Sequence, residues 1–418
     1  MRINLLYIDP GTGSMLLTII ICISGAVYYV IRLILMEVKR IFFGGKVNVD
    51  DEKIPFVIYA ESKTYFNIFN SICRELNKFN KKILYITSSN DDPMLKCNYE
   101  NIQVEVIKNQ NKLFTKLNLI KANILLSTTP GLNIYQWKRS KDVDYYVHVL
   151  HGANEVAAYK MFGIDYYDAI LLSGEHQIKD IRDLEKIRNL QKKELKIIGI
   201  PYLDDLQEKK EKDGIRLRDK NDEVKILVAA TWGDNGILSK YGEKIIDALI
   251  NLGHNIIIRP HHQLLISERK LLKKLMNKYK DNELISWNFD IDNFNVLNNA
   301  DVMISDYSGV IFDYALVFDK PIIYIDSHIE YNKLDAWWLK RSIWTESALP
   351  RLGIELTEER LSNIKDIIEY VLKNPDFEKG RKEVLEETWQ EKGRGAINAK
   401  NYLIAKYNEI INNNKNVV

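Results

Sequence analysis

Two successive α/β domains with a ligand cleft between them are the fold this sequence predicts. Three observations carry the prediction. From residue 54 onward, short apolar runs alternate with amphipathic stretches. One almost wholly polar stretch, residues 207–223 (QEKKEKDGIRLRDKNDE), interrupts the alternation and marks a boundary. Residues 301–326, DVMISDYSGVIFDYALVFDKPIIYID, read as strand, polar turn, helix and strand, the unit from which parallel sheets are made.

The elements follow in order. Before the boundary, the apolar runs Phe56–Tyr59, Ile83–Ile86, Val104–Ile107, Ile124–Leu126, Tyr145–Leu150, Ala169–Leu172 and Lys196–Ile198 are candidate strands. Tyr65–Phe79 and His176–Leu190 are helical stretches between them. After it come the strand Lys225–Ala229, a helix near Lys240–Asn251, the strand Asn255–Ile258 and a basic helix over Glu268–Lys280. In the 301–326 unit, Val302–Ile304 and Ile322–Ile325 are the strands and Gly309–Phe318 is the helix. The remainder is mainly helical, at Glu358–Leu372 and Phe377–Tyr407. These readings divide the chain into a first domain at 54–206, a second at 224–385 and a C-terminal helical segment at 386–418. No internal repeat or low-complexity tract is visible.

The chain has 418 residues, enough for two domains and an extra segment. With 46% hydrophobic and 28% charged residues, it has the composition of a globular protein with real cores. A net charge of +2 argues against a general nucleic-acid binder, which carries a large basic excess. Cys22, Cys73 and Cys97 lie far apart without a CxxC pair, so neither a disulfide framework nor a structural zinc site is expected.

The N-terminus departs from the soluble pattern. After a short leader at 1–13, Ser14 to Met36 (SMLLTIIICISGAVYYVIRLILM) carries a single charge, Arg32, near its end. About 20 apolar residues span a bilayer as a helix, and an arginine at the edge can reach the interface. A cleaved signal would have a shorter apolar core and a small-residue cleavage site, whereas Glu37-Val38-Lys39-Arg40 follows here. The basic residues Lys39, Arg40 and Lys46 follow the span, so the positive-inside rule places the rest of the chain in the cytoplasm. The expectation is a single-pass protein of the cell membrane, with a linker at 37–53 leading into the first domain.

Three polar clusters fall just after candidate strands, where ligands bind in open α/β sheets. His151-Gly152 follows Tyr145–Leu150, and a histidine there titrates near neutral pH and can serve as a general base. Arg259-Pro260-His261-His262 follows Asn255–Ile258, and arginine forks onto phosphate oxygens while a neighbouring histidine can donate to the same group. No acidic or cysteine partner lies at metal-ligand spacing, so no metal is expected. The third cluster is the turn Ser305-Asp306-Tyr307-Ser308-Gly309, which sets hydroxyls and N–H groups at a helix start suited to a diphosphate. Asp313, one turn further on, is placed to reach sugar hydroxyls. GxGxxG, GxxxxGK[ST] and GxSxG are all absent, against a dinucleotide, P-loop or hydrolase-elbow enzyme.

Taken together, SDYSGVIFDYALVFDKPIIYI, RPHH and HG stand in the order and rough spacing of the CDP-glycerol glycerophosphotransferases, the teichoic-acid primase and polymerase family, which this chain resembles over roughly residues 54–345. Ile226–Trp232 (ILVAATW) and Gly199–Asp204 (GIPYLD) look like further landmarks. The resemblance implies a GT-B-like pair of Rossmann-like domains, the first on the acceptor side and the second holding the CDP donor. It implies transfer of phosphoglycerol or a phosphoribitol-like unit from a CDP-alcohol to an acceptor hydroxyl, with release of CMP and no cofactor. His151 would be the base, Arg259 and His261 would contact the diphosphate, and Ser305 to Gly309 with Asp313 would complete the donor site. A polyprenyl-linked or polymeric cell-envelope acceptor suits a tethered enzyme, and a homo-oligomer remains open.

The sequence also departs from the family pattern. Members commonly read HGTPLK, Thr-Trp-Arg and Pro-Arg-Asn-Asp where this chain has His151 to Val156 (HGANEV), Thr231-Trp232-Gly233 and Pro201-Tyr202-Leu203-Asp204. Basic groups are thus missing where an anionic donor or acceptor would bind. Two other functions compete on this footing, a GT-B glycosyltransferase using a nucleotide sugar and a catalytically degenerate, membrane-tethered scaffold. Residues 336–344 (AWWLKRSIW) read either as a domain-packing surface or as a group for a bilayer interface.

Overall fold

Strands with near-continuous apolar runs are buried on both faces when parallel sheets are covered by helices, and this chain has two such sheets. The structure is a computed structural model that describes residues 53–216, 223–290, 292–326 and 330–415, with Ile23, Ser24, Val27, Tyr28, Val30, Ile31 and Ile34. Those seven N-terminal positions are helical and exposed. The rest of the expected membrane helix at 14–36, with the leader and almost all of the linker, lies outside the described residues. Among the described residues no helix is long and apolar enough to cross a membrane. Ile54–Val418 form a separate compact unit.

In that unit the first sheet comprises β1 (Ile54–Ala60), β2 (Ile83–Thr87), β3 (Ile102–Val106), β4 (Ala122–Ser127), β5 (Val143–Val149), β6 (Ala169–Leu172) and β7 (Glu194–Ile197). Their order is β3-β2-β1-β4-β5-β6-β7, and every pairing is parallel. The helix Phe66–Asn77 covers one face because Ile68, Phe69, Ile72, Cys73 and Leu76 recur at helical spacing and are buried. The second sheet comprises β8 (Lys225–Ala230), β9 (Asn255–Pro260), β10 (Ile285–Trp287), β11 (Val302–Ser305), β12 (Ile322–Ile325) and β13 (Gly353–Leu356). Its order is β10-β9-β8-β11-β12-β13, again all parallel. Strand order reverses between β1 and β4 and between β8 and β11, so each sheet has a switch point at which loops diverge and open a crevice.

The polar boundary stretch begins as a helix end. Residues 207–213 complete the helix Pro201–Asp213, whose polar end is exposed. Two edge strands, β10 and β13, were not anticipated. Both are short, and most of their residues are only partly buried or exposed.

The C-terminal segment does not stay with the second domain. Trp389 is buried in that domain's core and donates from Nε1 to Asp204 Oδ1 at 2.9 Å. Asp204 also accepts from the N–H groups of Gly393 (2.7 Å) and Gly395 (2.8 Å). The carboxylate thereby starts the last helix, Gly395–Lys415, which buries Ala399 and Leu403 in the first domain's core. Tyr407 packs on Phe56 and Phe79 there.

A strap from the second domain returns across the first. Leu334 bridges Lys160, Arg188 pairs with Asp165 and Asp335, and Arg341 pairs with Asp180 and Asp183. Ala336 and Ile343 are buried against Ala157, and Trp338 packs on Phe162. Residues 336–344 are therefore largely a domain-packing surface, with Trp337 left 57% exposed.

Candidate active site

β5 ends at Val149, and the chain leaves the sheet through Leu150 and His151 at the edge of the interdomain crevice. The His151 ring stacks on Tyr159 and meets Tyr65 edge-on. Nδ1 lies 2.8 Å from Thr128 Oγ1, just beyond β4, and 3.5 Å from the Tyr159 hydroxyl. Tyr159 reaches back to the buried His148, whose Nε2 is 3.2 Å away. Nε2 of His151 makes no hydrogen bond among the described residues. Packing around the ring, which keeps an exposed edge, holds the pKa below its ordinary value by desolvation. With a hydroxyl able to accept from Nδ1–H, the neutral ring offers its lone pair on Nε2, the arrangement a general base requires.

His261 has the complementary arrangement. Its Nδ1 accepts from the Gln263 N–H at 3.2 Å, so the neutral ring carries its proton on Nε2 and is a donor. Desolvation lowers its pKa to about 4, with His262 and Arg259 adding repulsion. The His261 N–H donates to Ala230 O at 2.8 Å, tying this loop to the end of β8. Arg259 donates to Asn288 Oδ1 and, at 2.8 Å, to Asp290 O, so part of its five-donor fork is already used.

At the turn after β11, two of the expected ligand groups face inward. Ser305 is fully buried and donates from Oγ to Ala229 O at 2.7 Å. Asp306, 1% exposed, accepts from the N–H groups of Thr231 (3.0 Å) and Ile237 (2.9 Å). Their side chains brace the switch point between β8 and β11, because burying either without those partners would strand polar atoms. A direct ligand contact is open instead to Tyr307, Ser308 and Gly309, which are partly or fully exposed. The N–H groups of Tyr307, Gly309 and Val310 find no acceptor among the described residues, leaving a concentration of donors at the head of the following helical segment.

Asp313 opens a π-helical turn, a departure from regular helix that recurs at functional sites. It lies close to Asn293, and burial pushes its pKa up to about 7. At neutral pH such a carboxyl, partly open to solvent, can both donate to and accept from a sugar hydroxyl. Asn293 also accepts from the Tyr202 hydroxyl at 2.8 Å, and Arg259 acts electrostatically on Tyr202. Tyr202 and Asn293 thus join Arg259 to Asp313. Neither was singled out as a site residue from the sequence, although Tyr202 lies within the Gly199–Asp204 landmark.

The two domains meet at the turn after β11. A Cβ added at Gly309 would sit 3.2 Å from Asn154 Oδ1, so the loop carrying His151 approaches the turn after β11. The sequence departures have local reasons. Glu155, 1% exposed, accepts from Thr345 Oγ1 at 2.6 Å and from its N–H at 3.2 Å, making a bond between domains. Gly233 has φ +92°, a left-handed conformation that an arginine would adopt only with strain.

Two parallel-sheet domains with a crevice between their switch points define a GT-B-like fold. Solved structures with that likeness include a variant of the wall teichoic acid polymerase TagF soaked with CDPG, 15% identical with a TM-score of 0.55, covering 91% of this chain and 98% of that one. They also include the UDP-GlcNAc 2-epimerase of Methanocaldococcus jannaschii in complex with UDP-GlcNAc and UDP, 14% identical with a TM-score of 0.55, covering 84% of this chain and 99% of that one. At these identities the likeness shows the fold. No curated protein matches the chain. The model of the CDP-glycerol:poly(glycerophosphate) glycerophosphotransferase family matches residues 45–334. The chain belongs to that family and is a glycerophosphotransferase-like enzyme.

Proposed function

We propose that this protein is a membrane-tethered transferase that moves a phosphoglycerol or phosphoribitol-like unit from a CDP-alcohol to a hydroxyl of a polyprenyl-linked or polymeric cell-envelope acceptor. The observation that carries this reading is a pair of unlike histidines at strand ends, His151 open at Nε2 on the first domain and His261 carrying its proton on Nε2 on the second, with the N–H-rich turn after β11 next to the His151 loop. The acceptor oxygen attacks the β-phosphorus, its proton passes to His151 Nε2, and the new P–O bond replaces the bond to CMP. His261, Arg259 and the N–H groups of the 307–310 turn stabilise the charge that moves onto CMP. Asp313 and Asn293 take the sugar hydroxyls. The reading is supported by family membership and by the CDPG soaked into the TagF variant.

A thermal-shift and calorimetric panel of CDP-glycerol, CDP-ribitol, CDP and UDP-sugars tests the donor. Stabilisation by the CDP ligands, with CMP released on adding a lipid acceptor, is expected. Selective stabilisation by UDP-sugars would make the protein a glycosyltransferase. Two variants probe the site. Arg259→Ala is expected to weaken CDP-alcohol binding at least about tenfold, since a hydrogen bond to a charged group contributes ~1.5–3 kcal/mol. Thr128→Val should slow kcat by about fivefold through a lost bond of ~1 kcal/mol at His151 Nδ1, leaving donor affinity unchanged. Thr128→Ser should restore the rate.

The apolar stretch 14–36 serves in this reading as a single-pass anchor, with the catalytic unit in the cytoplasm. Supporting it are its length and the basic residues after it. The full chain should then resist carbonate extraction from membranes, and quantitative release would overturn the anchor.

A further inference from the structure

We propose that the second domain carries its own bilayer-docking face beside the crevice, built from Trp232, Leu265 and Ile266 with Arg269, Lys270 and Lys273, and that its partner is the anionic surface of a lipid membrane. The helix Arg269–Lys278 buries Leu272 and Leu275 and turns its basic residues outward. Just before it, Leu265 and Ile266 are 38% and 71% exposed, and Trp232 beyond β8 is 48% exposed. Glu268 Oε1 accepts from the Gly233 N–H at 3.2 Å, fixing the Trp232 loop against the helix start. Three exposed large apolar side chains thus lie within three residues of this Gly233–Glu268 bond along the chain.

Charge complementarity selects the occupant. Lys274 and Lys278 pair with Glu243, whereas Arg269, Lys270 and Lys273 make no ion pair among the described residues. Exposed Asp234 is the acidic residue on the same loop as Trp232, so the face remains net positive. Tryptophan and aliphatic groups with unpaired cations around them fit the headgroup layer of an anionic bilayer, where each cation adds to attraction. The proposal rests on the anchor reading only for proximity. Residues 37–53 extend at most about 60 Å, which would keep this face within reach of the membrane.

The test uses the full chain reconstituted with vesicles of phosphatidylglycerol brominated in the acyl chains, which quench tryptophans that enter the bilayer. The wild type should lose fluorescence, and Trp232→Phe should remove most of the quenching. Because each cation contributes roughly a fivefold attraction, the triple variant Arg269→Glu, Lys270→Glu, Lys273→Glu should weaken docking at least about hundredfold and leave little quenching. Circular dichroism of each variant checks that it is folded. Quenching that is unchanged by Trp232→Phe, or equally strong in brominated phosphatidylcholine, overturns the proposal. Vesicle binding with no quenching from Trp232 refutes the docking face while leaving the anchor intact. Trp232 quenching in a chain that carbonate releases refutes the anchor while keeping the face.

Discussion

Replacing His151 by alanine is expected to leave CDP-alcohol affinity within about twofold and to slow transfer by about 10²–10⁴-fold, the usual share of a general base. The separation follows from position. His151 stands on the first domain with Thr128 and Tyr159 at Nδ1 and an open Nε2, while the donor groups belong to the second. The loss should therefore appear in kcat and leave donor binding intact. The pH profile adds a signature. A base works when unprotonated, and desolvation holds the His151 pKa below its ordinary value. The acid limb of kcat/KM should accordingly lie below about pH 6.5, the ordinary histidine value. A wild-type transfer rate in His151→Ala would remove it from the mechanism, and an acid limb above that pH would show that another group controls the rate.

Asp306→Ala is expected to be the most damaging change in the second domain. It leaves the Thr231 and Ile237 N–H groups without their acceptor, and each buried orphan costs about 1–3 kcal/mol. A combined loss of about 2–5 kcal/mol should appear as a lower urea midpoint, accompanied by weaker donor binding as the turn loosens. Ser308→Ala is the contrast, because Ser308 is partly exposed and its hydroxyl makes no hydrogen bond among the described residues. It should fold normally and affect donor binding alone. Equal stability of Asp306→Ala and wild type would contradict the bracing role.

Those two serine and aspartate positions show what the sequence could and could not disclose. A polar run after an apolar strand reveals a crevice edge, and this was enough to single out His151, Arg259, His261 and the 305–309 turn. It does not reveal which way each side chain turns, because an aspartate bracing two backbone N–H groups reads the same as one facing a ligand. Thr128 obeys the same strand-end logic after Ile124–Leu126 and was legible in principle. Tyr159 was not, since it lies in an irregular loop and matters only through His148 and His151. Strands such as IPFVIYA were plain from their apolar continuity, whereas ISW and GIEL at sheet edges lack it. The stretch Phe377–Tyr407 read as helical, without disclosing that it breaks after Thr388 or which domain would receive the last helix.

The return of that last helix sets an order for folding during synthesis. Ala399, Leu403 and Tyr407 complete a core whose other members are drawn from Phe56 onward, so the first domain's contacts span nearly the whole unit. While the ribosome is still making the second domain, the helix Phe66–Asn77 must wait with part of its apolar face uncovered. The second sheet, whose strands all lie within residues 225–356, can form without that delay. Final closure of the earlier half then depends on Asp204 capturing the Gly393 and Gly395 N–H groups, which makes a carboxylate midway along the chain the checkpoint for an N-terminal core.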